Sequence, residues 1–194
     1  LSERMNEGEF VISSLKDLQY NVSFLDDDCI AEGGEFFFLP KENILLAGQN
    51  RNNLKGAEQM AEKLKVSHLH IIKSSGYHLD TSIAPIFNNE YDCIGIICAR
   101  EVFSNKEITS LRNICKINDW DLIEIEHQNP NESLKFRTSM NGLTLPGLFI
   151  GSKEMRQNKI FEFGLSNNII FDNTSVSQFN LSGGSVHCLT NELF

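Results

Sequence analysis

Apolar residues along the chain fall into short continuous runs that alternate with stretches of helical spacing. Phe36-Phe37-Phe38-Leu39 and Ile44-Leu45-Leu46-Ala47-Gly48 are two strand-like runs on either side of the turn Pro40-Lys41-Glu42-Asn43. Leu54, Ala57, Met60, Ala61 and Leu64 then recur at helical spacing, and residues 69–72 close the segment as a strand. The order strand, strand, helix, strand returns at a period of roughly fifty to sixty residues. In the second copy, residues 79–87 read as extended, with Pro85 marking an edge or a bulge, and Cys93–Ala99 as a buried strand. Ser104-Asn105-Lys106-Glu107 is a capping box opening a helix with Ile108, Leu111, Ile114 and Cys115 inward, and residues 120–125 close the copy.

The third copy is blurrier. Residues 136–145 and 148–150 read as strands, 153–165 as a helix and 169–171 as a strand. Ahead of the first full copy, residues 5–19 are helix-like through Val11, Leu15 and Leu18, and residues 21–25 form a strand. At the far end, residues 186–193 read as the front strand of one more copy. The expected organisation is a single domain over 1–194. A partial first unit covers about 1–28, full units cover about 29–75, 76–127 and 128–178, and a closing strand covers about 183–194. Repeated ββαβ units pack best around a pseudo-symmetric axis, which would bring their inner strand ends to one central site.

Composition narrows the function. The net charge is −9 with no Lys/Arg run, which argues against nucleic acid as a partner. No apolar stretch is long enough to span a membrane, and no signal-peptide pattern is present. The five cysteines are Cys29, Cys93, Cys98, Cys115 and Cys188, an odd number in no zinc-ligand spacing, which fits a reducing, cytoplasmic setting. Cys93 and Cys98 lie in an apolar run and read as inert core. Asn21-Val22-Ser23 reads as a chance match to a glycosylation motif.

Three stretches carry chemistry. Glu32-Gly33-Gly34-Glu35 supplies carboxylates, His78-Leu79-Asp80-Thr81 an imidazole and a carboxylate, and Gly183-Gly184-Ser185-Val186-His187-Cys188 a thiol behind a glycine pair. These are the parts needed for covalent catalysis at a cationic carbon.

These segments, with Arg51-x-Asn53-x-x-Gly56-Ala57-Glu58, resemble the guanidine-modifying superfamily of pentein, or α/β-propeller, fold. Dimethylarginine dimethylaminohydrolase, arginine deiminase, agmatine deiminase and the amidinotransferases are members. The motifs occur in family order across most of the chain. The Arg51 segment is more similar to dimethylarginine dimethylaminohydrolase, and His-Leu-Asp-Thr to arginine deiminase, so both arginine and methylated arginine stand as substrates.

The resemblance implies a closed propeller of ββαβ units whose N-terminal unit is incomplete here. It also implies a cysteine hydrolase that converts a guanidino compound to a ureido product such as citrulline through a thiouronium intermediate. Cys188 would be the nucleophile, and its ionisation would be helped by the positive charge of the bound guanidinium. His78 would protonate the leaving amine and then activate water, because an imidazole titrates near neutrality. Glu32 would hold His78 and the guanidinium. Asp80, two residues beyond His78 and on the same side of a strand, would bind the guanidinium or amine. Arg51 would bind a substrate carboxylate bidentately. Glu35 stands where the family has Asp, so it would support the substrate site from behind.

His187 is the weaker base candidate, because in an extended segment it faces away from Cys188. His68, His70 and His127 have no supporting pattern. No metal or organic cofactor is implied. The alternatives are an amidinotransferase, in which an amine replaces water, and a non-catalytic binding module of the same fold. Asp26-Asp27-Asp28 match no family motif, and a further acidic guanidinium ligand is expected in the first unit. Two additional strands upstream of residue 1 are therefore expected. A homodimer is another way to cover the open edge.

Overall fold

The computed structural model describes residues 5–125, 140–153, 158–181 and 183–190. Three ββαβ units follow one another, each a three-stranded sheet with its second strand in the middle. The first contains β1 (Phe36–Leu39), β2 (Ile44–Gly48), α2 (Leu54–Leu64) and β3 (His68–Ile72). The second contains β4 (Ile83–Phe87), β5 (Cys93–Ala99), α3 (Asn105–Ile117) and β6 (Asp121–Ile125). The third contains β7 (Leu143–Leu145), β8 (Leu148–Ser152), α4 (Asn158–Asn167) and β9 (Ile170–Thr174). In every unit the first two strands pair antiparallel, and the helix carries the chain across to a parallel third strand. The sheets are separate, and among the described residues they do not close into a ring.

Local signals explain the elements. All five residues of β2 are buried, as a continuous apolar central strand should be. The Asn53 side chain caps α2 by accepting from Gly56 N–H at 2.7 Å, and Lys65 ends that helix in the left-handed region at φ 56°. The Ser104–Glu107 capping box forms in both directions at α3. Pro85 is accommodated because β4 is an edge strand of its sheet, next to an irregularity at Ile86/Phe87. One contiguous core runs through the units, from Phe37 and Leu46 through Ile96 and Leu111 to Phe149 and Ile160.

Several expectations are corrected. The helix-like stretch at 5–19 is α1 (Met5–Asp17), but residues 21–25 form no strand. Among the described residues no strand lies beside them to pair their backbone groups, and a β-propensity run without a ladder stays irregular. In the third unit the first strand is just Leu143–Leu145. Residues 136–139, the start of the expected helix at 154–157, His127 and 191–194 lie outside the described residues. A short helix not expected from the sequence, α5 (Ser177–Asn180), follows β9. Residues 79–81 are a 3-10 turn rather than strand, closed by Thr81 bonding back to His78. The closing strand expected at 186–193 is a 3-10 turn at His187–Leu189.

What positions the site is the set of turns just ahead of the first strands. The 3-10 turn Gly33–Glu35 precedes β1 and touches the turn Leu79–Thr81 that precedes β4. Met140 to Gly142 turn into β7, and β7 lies against β4. The turns ahead of the first two units thus meet, and the third unit reaches them through β7 against β4.

Candidate active site

A cavity of about 400 Å³ opens where these turns meet. Gly33, Gly34, His78, Asp80, His187 and Cys188 form its polar side, and Phe36, Phe38, Leu45, Met60 and Leu64 its apolar side. Sequence reasoning placed Glu32, His78 and Cys188 together. His78 and Cys188 do line one cavity, and Glu32 joins through His78, its Oε2 lying 2.7 Å from Nε2. The Glu32 backbone N–H is anchored on Asn52 Oδ1 at 2.8 Å.

Gly34 explains the glycine pair beside Glu32. A Cβ at this position would come within 2.9 Å of His78 Nδ1 and 3.0 Å of Asp80 Oδ2. The imidazole and the carboxylate therefore lie side by side over bare backbone, with Nδ1 on the Asp80 side and Nε2 on the Glu32 side.

Asp80 is 2% exposed. Its Oδ2 lies 2.9 Å from His187 Nδ1, and its Oδ1 is buried with no hydrogen-bond partner. Asp80 is thus a buried carboxylate paired with His187. The expectation that His187 faces away from Cys188 is overturned. The 3-10 turn rotates successive side chains by about a third of a circle rather than by half, so both residues reach the same cavity.

The turn is held from behind by Asn141. Its carbonyl accepts from His187 N–H at 3.1 Å, and its Oδ1 accepts from Cys188 N–H at 3.0 Å. Gly183, at φ 81°, provides the left-handed step that leads from α5 into the turn. Cys188 is exposed, whereas Cys93, Cys98 and Cys115 are buried. Burial pushes the Cys93 and Cys98 thiols far up and the Cys115 thiol up to about 12, so these three stay protonated and inert.

Three predicted residues stand outside the cavity lining: Glu32, which reaches it through His78, Glu35 and Arg51. Glu35 is 0% exposed. Its Oε1 accepts from Arg51 N–H at 2.6 Å and its Oε2 from Leu79 N–H at 3.0 Å, which ties the first motif to the second. Burial raises its pKa, against the lowering effect of these hydrogen bonds and of His78. The Arg51 guanidinium lies 4.3 Å over the Tyr77 ring, which in turn packs edge-on against His78 at 4.5 Å. Arg51 is exposed and sits at the rim.

Asn141 was missed in the sequence. Its signal was positional: it directly precedes the first strand of its unit, as the Glu32 and His78 motifs do. Among the described residues no group of three or more His, Cys, Asp or Glu side chains is placed to hold a metal ion.

No family model matches the chain. No curated protein matches it by sequence. Solved structures do match. The N-terminal domain of ArgZ, an arginine dihydrolase from Cyanobacteria determined with its product, superposes with a TM-score of 0.77 at 18% identity, over 98% of this chain and 66% of that one. AgrE, determined with ornithine and NAD+, gives 0.74 at 19%, over 97% of this chain and 26% of that one. Dimethylarginine dimethylaminohydrolase (DDAH) from Pseudomonas aeruginosa, determined with citrulline, gives 0.64 at 19%, over 95% and 65%. The chain thus spans about two thirds of the ArgZ domain's length. These neighbours are guanidine-modifying enzymes of the pentein fold, and the likeness establishes that mixed α/β fold for this chain.

Proposed function

We propose that the protein hydrolyses a guanidino compound, arginine or a methylated arginine, with Cys188 as nucleophile. The observation that carries this reading is one cavity in which an exposed thiol meets an imidazole backed by a carboxylate and a second, buried carboxylate with an unpartnered oxygen.

Asp80 Oδ1 accepts an N–H of the guanidinium, a charge-assisted bond to a carboxylate that is itself buried. Phe36, Phe38 and Leu45 take the aliphatic stem. The Cys188 thiolate attacks the guanidinium carbon, forming a C–S bond and a tetrahedral centre. The C–N bond to the leaving group then breaks, and His78 gives that nitrogen its proton. The thiouronium left on Cys188 is attacked by water, from which the now neutral His78 takes a proton. Breakage of the C–S bond returns the thiolate and releases a ureido product. Glu32 at Nε2 stabilises the imidazolium in both half-reactions, which frees Nδ1, on the cavity side, to exchange the proton.

The test is incubation of the protein with arginine, methylated arginines and agmatine, scored for ureido product and for released amine or ammonia. A stoichiometric ureido product supports hydrolysis. Transfer of the amidino group to an added amine would move the assignment to an amidinotransferase. Neither outcome, with every substrate recovered intact, would leave a binding module.

A further inference from the structure

Two histidine–carboxylate pairs face this site, and the reaction above gives the histidine of the second no role. We propose that the second, His187–Asp80, is a positioning device. In it, His187 fixes Asp80 so that a single oxygen meets the guanidinium, and the same contact locks the Cys188 turn onto the His78 turn. The proposal rests on the guanidino-hydrolase reading for its substrate, but not for the pair itself.

The geometry leads there step by step. Asp80 and His187 are separated by 107 residues, yet the pair is nearly closed off from solvent, with side-chain exposures of 3% and 14%. A buried carboxylate is costly unless both oxygens are served. Oδ2 is served by His187 Nδ1 at 2.9 Å, while Oδ1 is buried without a hydrogen-bond partner, on a residue that lines the cavity. Asp80 therefore offers one acceptor to a ligand rather than a two-pronged fork.

His187 is itself fixed on three sides. Its ring packs against Phe37 of β1 at 5.6 Å between centroids, its N–H bonds to the Asn141 carbonyl, and Nδ1 reaches Asp80. Cys188 is the next residue in the same 3-10 turn. Any motion that carries the Cys188 backbone away with its turn must break the His187–Asp80 contact or the Asn141 bonds. The titratable groups around the cavity are Glu32, His78, Asp80, His187 and Cys188, with Glu35 behind the turn. Loss of the imidazole leaves the Asp80 carboxylate unpaired in the cavity that Cys188 also lines, which disfavours the thiolate.

The experiment compares H187N, H187Q, H187A and D80N, each alone, and H187A in the D80N background, with folding checked by circular dichroism. An Asn amide nitrogen falls where Nδ1 lies and can still donate to Asp80, whereas a Gln amide nitrogen falls nearer the Nε2 position. H187A and H187Q are expected to raise KM for arginine by about tenfold or more, and H187N to stay within about threefold of wild type. A role confined to filling space would not rank the shorter amide above the longer one.

The second readout needs no turnover. The rate at which iodoacetamide alkylates Cys188 at neutral pH should fall about fivefold or more in H187A. In the D80N background the same substitution should change it by less than about twofold. Where H187A does not fold, H187Q takes its place in this cycle.

Equal KM for H187N and H187Q, or equal slowing of alkylation with and without the Asp80 charge, overturns the proposal. A wild-type protein that turns over no guanidino compound but shows the alkylation pattern sinks the hydrolase reading and leaves the pair standing. Turnover without the pattern does the reverse.

Discussion

Glu35 and Asp80 are both carboxylates, both buried, and both next to a motif that carries site chemistry, yet they do opposite work. Glu35 has each oxygen filled by a backbone N–H, from Arg51 and from Leu79. It has nothing left to offer a ligand, and its burial serves to hold the Leu79–Thr81 turn against the Gly33–Glu35 turn. Asp80 has one oxygen on His187 and one buried without a partner. Burial alone does not mark a binding carboxylate. The proposed binding role of Asp80 rests instead on an oxygen left without a partner, on a residue that lines the cavity.

The sharpest way to separate binding from chemistry at Asp80 is to remove the nucleophile. Cys188→Ser should lower kcat by roughly 10⁴-fold or more, because a hydroxyl without its own base is a poor nucleophile. Arginine binding, read by calorimetry, should survive, since Asp80 and the apolar wall are untouched. Retained turnover would mean that another group attacks.

Gly34→Ala strikes the Asp80 side of the comparison directly. Its new Cβ would press on His78 Nδ1 and Asp80 Oδ2. A displacement of about 1 Å costs on the order of a hundredfold in rate, so kcat/KM should fall by about that factor while the thermal unfolding midpoint changes little. An active Gly34→Ala protein would show that this crowding is relieved elsewhere.

Asp80→Asn should raise KM roughly 10- to 150-fold, the effect of losing a hydrogen bond to a charged group worth about 1.5–3 kcal/mol. Steady-state kinetics across substrate concentrations checks it.

Glu35→Gln should act on stability instead, by about 1–3 kcal/mol, because an amide nitrogen cannot accept the N–H that one carboxylate oxygen now takes. KM should move little. The pH dependence has a definite sign. Burial raises the Glu35 pKa in the folded state, so folding favours the neutral form. Wild-type stability therefore gains as pH falls through that raised value, and the gain is complete below the ordinary glutamate value of about 4.3. The variant lacks this gain. The stability gap between the two should widen on acidification in urea melts, and a gap that narrows would contradict the burial account.

Much of this was legible in the sequence, for reasons that differ by residue. Ile44–Gly48 and Leu54–Leu64 were found at their true bounds, because a fully buried strand is a continuous apolar run and a capped helix carries its own start signal. Residues 21–25 read as strand from composition, but a strand depends on its neighbour, which a local pattern does not contain. The turns at 79–81 and 187–189 were read as extended for the same reason. That error hid His187, whose direction was inferred from strand alternation. Glu32, His78 and Cys188 were picked out by chemistry and by position in the repeat rather than by local conformation, and the wrong local readings did not affect their choice. Asn141 was lost because the third unit's pattern is the faintest and its first strand the shortest.

The central claim is that Cys188 takes the guanidino carbon while His78 manages the protons. The most direct measurement is intact-protein and peptide mass spectrometry of protein quenched with acid during turnover of arginine or a methylated arginine. The account predicts an adduct on the Cys188 peptide alone, absent in Cys188→Ser and formed far more slowly in a His78→Ala variant, which can neither protonate the leaving nitrogen nor activate water. Ureido product formed with no adduct on Cys188, or an adduct on Cys29, Cys93, Cys98 or Cys115, would contradict it.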